Sequence, residues 1–419
     1  MSEPRPDGKP FAISKRLVWE AWLKVKANKG AAGVDEQSIQ EFEANLRGNL
    51  YKLWNRLSSG SYMPPPVRAV EIPKRDGRGS RMLGVPTVAD RVAQTVVHLY
   101  LEPGVEPHFH PDSYGYRPGR SALDAVGRCR ERCWRYDWAI DLDLRSFFDS
   151  LDHSLVQRGS SPHHRAVDPP LRGAVAEAPL QREDGTLVAR DRGSPQGSAI
   201  SPVLANIFLH YALDLWLARE IPAIPFERYA DDVMLHCKSE SQARVVLDAI
   251  AERLAQVGLE LNPDKTRIVY CKDSNRNGSH EHERFTFLGY TFRPRLARSK
   301  AGVNFVSFLP AVADDAAKAI RHTIKRWRLH LWSGSTLAEL ARSVNAIVRG
   351  WCNYYGGFYP SELLRSLRHI NEYLVRWAMQ KYKRLRGRPR RARSFLASVA
   401  GREPALFAHW QAGARPTAG

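Results

Sequence analysis

Between Trp138 and Leu144 the chain alternates strictly, with Trp138, Ile140, Leu142 and Leu144 on one face and Asp141 and Asp143 on the other. A period of two is the signature of a strand. The apolar face calls for burial, and a carboxylate on the second face of such a strand is costly without a partner. Further on, Phe226–His236 reads as a strand, a turn at Ala230-Asp231-Asp232 and a second strand. An Asp-Asp pair at a hairpin tip means little by itself, because Asp favours turns. Its meaning changes if Asp143 is brought in from another strand. Three close carboxylates repel one another unless cations neutralise them, so the pattern predicts a divalent-metal site on Asp143, Asp231 and Asp232. Asp141 is the weaker ligand candidate and suits a supporting or strand-capping position.

The surrounding elements are mixed. The spacing predicts helices from Lys15 to about Leu53, interrupted by the turn-like Asn28–Asp35, and again over Val88–Leu101, residues 196–219 and Gln242–Val257. Val67–Lys74 and Arg81–Val85 read as a hairpin around a polar turn, and Phe285–Phe292 as a strand. This order predicts an α+β sheet domain with helices on one side. After about Leu309 only helical patterns remain. Leu337, Leu340, Val344, Ile347, Val348 and Trp351 form one apolar stripe, and Leu363, Leu367, Ile370, Leu374 and Trp377 another.

Charge narrows the partner. Lys and Arg total 63 against 44 Asp and Glu, a net charge of +19. Such an excess favours a polyanion, since each neutralised phosphate releases condensed counterions. The helical stripes carry Arg342, Arg349, Arg365, Arg368 and Arg376 on their opposite faces, and Lys381, Lys383, Arg384, Arg386, Arg388, Arg390, Arg391 and Arg393 follow at once. Basic residues interleaved with Trp and Tyr point to nucleic acid. Five cysteines without a CxxC pair point to reduced thiols rather than disulfides or zinc. No apolar run approaches membrane-spanning length and no signal-peptide pattern opens the chain, so a cytoplasmic protein without a membrane partner is expected.

Several short motifs then fall in a familiar order. Tyr229-Ala230-Asp231-Asp232 resembles the YxDD box of reverse transcriptases, and Asp143-Leu-Arg-Ser-Phe-Phe-Asp149 resembles their first catalytic motif. Ser194-Pro-Gln-Gly-Ser-Ala-Ile-Ser-Pro202 resembles the QGxxxSP motif; Ile72-Pro-Lys74 with Arg81, and Ser113-Tyr-Gly-Tyr-Arg-Pro-Gly119, are similar to the fingers motifs. Leu261-Asn-Pro-Asp-Lys265-Thr266 and Phe287-Leu-Gly-Tyr290 match the late palm motifs. Ile347-Val-Arg-Gly-Trp-Cys-Asn-Tyr-Tyr355 resembles the maturase, or thumb, domain of group II intron proteins, and Asn28–Asp35 their extra N-terminal motif.

The resemblance implies a right-hand polymerase, with fingers and a ferredoxin-like palm followed by an all-α thumb/maturase domain. Its expected divisions are an N-terminal extension at 1–27, fingers and palm at 28–300, thumb at 310–380 and a basic tail at 381–419. It implies an RNA-directed DNA polymerase that binds group II intron RNA and extends a DNA primer on an RNA template from deoxynucleoside triphosphates, with two Mg²⁺ ions. Position by position, Asp143, Asp231 and Asp232 would bind metal, and Lys265 would give a proton to pyrophosphate. Lys74 and Arg81 would hold the triphosphate, Phe148 would crowd a ribose 2′-oxygen, and Gln196 would pack against nucleotide and template. Lys29, Arg349, Arg376, Lys381, Arg384, Arg388 and Arg391 are the expected RNA contacts. The alternatives are a splicing-only maturase with a silent polymerase and a host-adopted reverse transcriptase, for example in phage defence; a nuclease on the same acids would not need Gln196 or Lys74.

One segment departs from the family. Where relatives carry an aromatic amphipathic helix, Gly159–Pro179 holds Pro162, Pro169, Pro170 and Gly173 and no Phe, Trp or Tyr. Proline inside a helix costs about 3 kcal/mol or more. Arg165–Ala178 can be written with codons that, read one nucleotide later, give Ala-Arg-Trp-Thr-Leu-Arg-Tyr-Val-Glu-Arg-Trp-Leu-Lys, an amphipathic helix. A local frameshift restored before Gln181 is therefore expected, with impaired polymerisation as its consequence. The coding DNA tests it: codons that yield no such helix in another frame refute it.

Overall fold

The computed structural model describes residue 9 and residues 11–73, 80–152, 154–155, 178–189, 192–193 and 197–418, the side chain of Arg81 excepted. Lys74, Gln196 and all but the last two residues of the aberrant Gly159–Pro179 segment lie outside them.

Four helices open the chain: α1 (Lys15–Ala27), α2 (Ile39–Ala44), α3 (Leu46–Ser59) and, after a hairpin of β1 (Val67–Pro73) and β2 (Ser80–Val85), α4 (Val88–Val105). Their starts are written in the sequence. Ser14 caps α1, Ser38 and Glu41 form a capping box on α2, and the Thr87 hydroxyl accepts from the Asp90 amide on α4. Then come α5 (Ala122–Cys133), β3 (Trp138–Leu142), α6 (Phe147–Ser150), β4 (Leu180–Gln181), β5 (Leu187–Val188), α7 (Ser201–Leu209), a π turn at His210–Asp214 and α8 (Leu215–Glu220). The middle of the chain ends with β6 (Phe226–Tyr229), β7 (Asp232–Cys237), α9 (Glu240–Gln256) and β8 (Arg267–Tyr270). Next follow β9 (Phe285–Phe287), β10 (Tyr290–Arg298), β11 (Asn304–Val312), α10 (Asp314–Trp327), α11 (Leu337–Tyr355), α12 (Pro360–Lys381), α13 (Pro389–Arg402) and α14 (Ala408–Gln411). The described strands form sheets ordered β2-β1-β4-β5 and β11-β10-β9, while β6 pairs with β7 and β3 with β8.

The expected strand at Phe285–Phe292 is instead a tight hairpin, followed by a longer one. Leu288 and Gly289 both take positive φ, +50° and +78°, which closes a two-residue turn between β9 and β10. Leucine is a poor residue for that conformation, so the turn was hidden in the sequence.

The chain divides into two compact units. The first comprises residues 1–121, 142–235 and 241–266. Its N-terminal core packs Trp22 against Phe42, ring centroids 5.2 Å apart, with Leu57, Val92 and Val96 around them. The Asn28–Asp35 turn is tied to α4, where Arg91 donates to the Ala31 carbonyl at 2.6 Å.

The second unit comprises residues 122–141, 236–240 and 267–419. In it β3 pairs antiparallel with β8, setting Asp141 opposite Arg267. Cys129, Cys133 and Cys271 are buried and form no disulfide, and burial pushes the Cys133 thiol up to about 12. The two apolar stripes meet in a helical core of Leu340, Val344, Val348, Leu367, Ile370, Leu374 and Trp377. Ile347 is the exception and faces solvent. Residues 381–419, read from sequence as a basic tail, contain α13 and α14, and Leu396, Phe407 and Trp410 lie inside the same core. Two buried asparagines fix this segment. Asn345 holds the Leu406 carbonyl and the Ala408 amide, and the Asn371 oxygen accepts from His409 and Trp410 at 2.8 Å each. Among the described residues no helix is long and apolar enough to cross a membrane.

Candidate active site

The Asp-Asp pair stands at the tip of the β6–β7 hairpin, where Tyr229 and Asp232 face each other in register. Ala230 takes φ +57°, an uncommon conformation for a residue with a Cβ, so the turn has to be held from outside. Arg228 holds it. Its wholly buried guanidinium forks onto Asp214 at 2.7 and 2.6 Å, and donates to the Asn206 side-chain oxygen at 2.9 Å and the Ala230 carbonyl at 3.1 Å. Asn206 in turn donates to the Gly115 carbonyl at 2.7 Å. A Cβ on Gly115 would lie 2.3 Å from the Ala230 amide, so only glycine lets this loop approach the turn. Arg228 is also bonded through its backbone to Asp112 and Tyr114.

Asp143 is fixed from another direction. Its carbonyl accepts from the Asn262 amide at 2.8 Å, and its own amide donates to the Thr266 hydroxyl at 3.3 Å. The turn between those residues directs Lys265 back, with Nζ 3.4 Å from an Asp143 carboxylate oxygen. Beyond Asp143, Ser146 takes φ +47° and starts α6, where Phe147 is buried and Phe148 half-buried, their rings 5.2 Å apart. That assigns the two neighbouring phenylalanines different faces.

Asp231 and Asp232 both feel the charge of Asp143. Burial, with the charge of Asp143 added, holds the Asp231 carboxyl above the ordinary carboxylate range. Asp232, although its side chain meets solvent, is pushed up to about 7, first by desolvation from its surroundings and then by Asp231 and Asp143, with Lys265 opposing. Tyr116, whose ring lies 6.1 Å from that of Tyr229, is raised by burial and then by Asp231, Tyr229 and Asp232. Carboxylates that disfavour their own ionisation in this way make a donor set suited to a hard divalent cation.

Comparison with known families decides what this geometry belongs to. Residues 72–292 match the model for reverse transcriptase (RNA-dependent DNA polymerase), and residues 317–396 match the group II intron maturase-specific domain. The chain belongs to the reverse transcriptase family. It is an RNA-directed DNA polymerase that carries a maturase domain. It is 29% identical to Protein YkfC of Escherichia coli (strain K12) over 385 residues, which cover 77% of this chain and 93% of that protein. It is 24% identical to the group II intron-encoded protein LtrA of Lactococcus lactis subsp. cremoris, covering 87% and 72%. A putative COX1/OXI3 intron 1 protein of Saccharomyces cerevisiae is 32% identical over 222 residues, 52% of this chain and 26% of that one.

The other expected site residues of this reverse transcriptase are distributed as follows. Arg81 lies in β2 opposite Ile72. Lys29 is exposed at φ +47°. Arg349, Arg376, Arg384, Arg388 and Arg391 are exposed, with Arg376 over the Tyr373 ring at 5.3 Å. Lys381 differs from them: its ammonium donates to the carbonyls of Ser333, Gly334 and Ser335 at 3.1, 3.4 and 2.8 Å. Its observed contacts therefore close a turn. Sequence reasoning passed over Asp214, Asn206, Asn262 and Thr266 as a supporting frame. Asn262 and Thr266 stand inside the quoted motifs and Asn206 shortly after one, which was the available signal; Asp214 had none.

Proposed function

We propose that this chain binds group II intron RNA to assist its splicing and copies that RNA into DNA, extending a primer from deoxynucleoside triphosphates. The observation that carries the reading is the gathering of Asp143, Asp231 and Asp232 beside Lys265 in a chain of this family. Residues 28–300 would serve as fingers and palm, 310–380 as thumb, 1–27 as an N-terminal extension and 381–419 as a basic C-terminal segment.

Asp143, Asp231 and Asp232 would hold two Mg²⁺ ions, and the raised carboxyl pKa values of Asp231 and Asp232 fit a cation-demanding site. Such ions, when bound, supply the charge that stabilises the attacking and leaving oxygens of phosphoryl transfer. The protein's own side chains would do the rest. Lys74 and Arg81 would bind the triphosphate and neutralise charge that develops there. Phe148, half-buried, would exclude a 2′-hydroxyl, and Gln196 would pack against nucleotide and template. Lys265, tied to Asp143 here, would be released as phosphate enters and would protonate the leaving pyrophosphate. Lys29, Arg349, Arg376, Arg384, Arg388 and Arg391 would contact RNA phosphates, with Lys381 supporting the turn beside them.

Primer extension on an RNA template tests the reading. The wild-type chain should give product that Asp232→Ala reduces by on the order of a thousandfold while leaving RNA binding intact. Intact splicing without any product from the wild type would favour the splicing-only maturase instead.

A further inference from the structure

The first unit contains a second buried polar chain that the reaction does not obviously need. Tyr62 donates its hydroxyl to one Asp90 carboxylate oxygen at 2.9 Å, and the Gln94 amide nitrogen donates to the other at 2.8 Å. The Gln94 oxygen then accepts from the Ser198 hydroxyl at 2.6 Å and from the Ala199 amide at 2.9 Å. Asp90 and Gln94 are fully buried, and Tyr62 and Ser198 nearly so. One turn further along α4, a ring nitrogen of His98 lies 3.3 Å from the Ala199 carbonyl. One face of a single helix therefore grips both ends of one residue.

Chemistry fixes the direction of this chain. The Ala199 backbone N–H can only donate, so the Gln94 atom facing it must be oxygen. The Gln94 nitrogen must then face Asp90, which has to accept on that side. Gln94 is thus locked against the flip that an exposed glutamine makes freely. On the opposite side the same loop runs against β2. Gly197 takes φ +106°, and a Cβ there would lie 3.1 Å from the Gly84 carbonyl. Gly197–Ala199 directly follows Gln196, and β2 is the strand that carries Arg81.

We propose that Gln94, with its polarity set by Asp90, is a positioning residue for the incoming nucleotide, holding the Gly197–Ala199 loop at a fixed distance from β2. This rests on the reading of Arg81 and Gln196 as nucleotide contacts. A loop fixed at Ser198 and Ala199 against β2 would set the fit of the nucleotide without touching it. Asp90 gives the network its strength: an ionised acceptor strengthens both hydrogen bonds that end on it.

A polarity swap tests the relay. Gln94→Glu alone sets two buried carboxylates against each other. The double variant Asp90→Asn/Gln94→Glu returns a donor to the first position and an acceptor to the second, and keeps one negative charge between them. Primer extension should show KM for the deoxynucleotide raised about tenfold by Gln94→Glu, with kcat within about threefold, and the double variant restored to near wild type. Amide hydrogen exchange across Gly197–Leu204 should quicken in Gln94→Glu and recover in the swap. A swap that folds with the wild-type Tm yet keeps the KM and exchange of the single variant overturns the relay, as does a single variant with unchanged exchange. If the wild type extends no primer, the nucleotide reading falls, and the exchange comparison still judges the relay.

Discussion

Arg228 has no exposed atom of consequence, and a buried guanidinium is tolerable only with its full set of partners. Asp214 supplies two of them, Asn206 and the Ala230 carbonyl the others. Lysine keeps the charge but has no planar fork, so Arg228→Lys should destabilise the protein by roughly 3–5 kcal/mol and cost polymerase activity with it. Urea unfolding measures this; a loss below about 1 kcal/mol would show that the ion pair is not what holds the turn. Asp232 makes a second prediction. Its folded pKa, about 7, lies above the ordinary 3.8, so between those values the native state binds the extra proton. Stability of the metal-free protein should therefore fall as pH rises through that window. The side chain meets solvent, and screening limits the change to on the order of 1 kcal/mol. Asp90, raised to about 6 by burial, adds in the same direction, so comparison with Asp232→Asn isolates the site. Thermal unfolding at pH 5 and 8 should show a flatter slope in that variant, and added Mg²⁺ should recover stability at pH 8 mainly in the wild type.

Elements α13 and α14 show most clearly how charge in a sequence can mask a core. Lys and Arg dominate the stretch, yet Leu396, Phe407 and Trp410 are buried. Truncation after Lys381 should thus unfold or aggregate the helical region rather than merely weaken RNA binding. Circular dichroism would show it as a helix loss larger than the deleted residues account for. His409 links this region to pH. Burial depresses its folded pKa to about 3 from 6.5, so the unfolded state takes up a proton first as pH falls, and stability is lost between 6.5 and 3. His409→Gln keeps a donor for Asn371 and cannot titrate, so acid unfolding of α13 and α14, followed by hydrogen exchange, should shift to lower pH. Elsewhere the elements followed their local signals. Ser14, Ser38 and Thr87 started helices where a capping residue belongs, and Gly258, at φ +75°, follows α9. Where a local signal was missing, as at Leu288, the element was missed.

At the scale of the whole molecule the +19 charge predicts how RNA binding responds to salt. The logarithm of the RNA association constant should fall linearly with the logarithm of salt concentration. Changing Arg384, Arg388 and Arg391 together to Gln should reduce that slope by about two, since each phosphate contact contributes roughly 0.7–0.9. Their exposure means Tm should stay unchanged; an unchanged slope would place the contacts elsewhere. The sequence by itself determined the family, the mixed and then all-helical order of elements, and the excess of positive charge, and it offered the three aspartates as candidates. These depend on residue type and local period, which are legible along the chain. Only the tertiary structure decided what holds Asp143 in place: Asn262 and Thr266, more than a hundred residues away, bond its backbone. It also decided that Arg228 is a clamp, that Lys381 closes a turn and that Gln94 faces Ala199. Hydrogen-bond partners far apart in sequence leave no periodic trace, because directionality is satisfied in space and not along the chain.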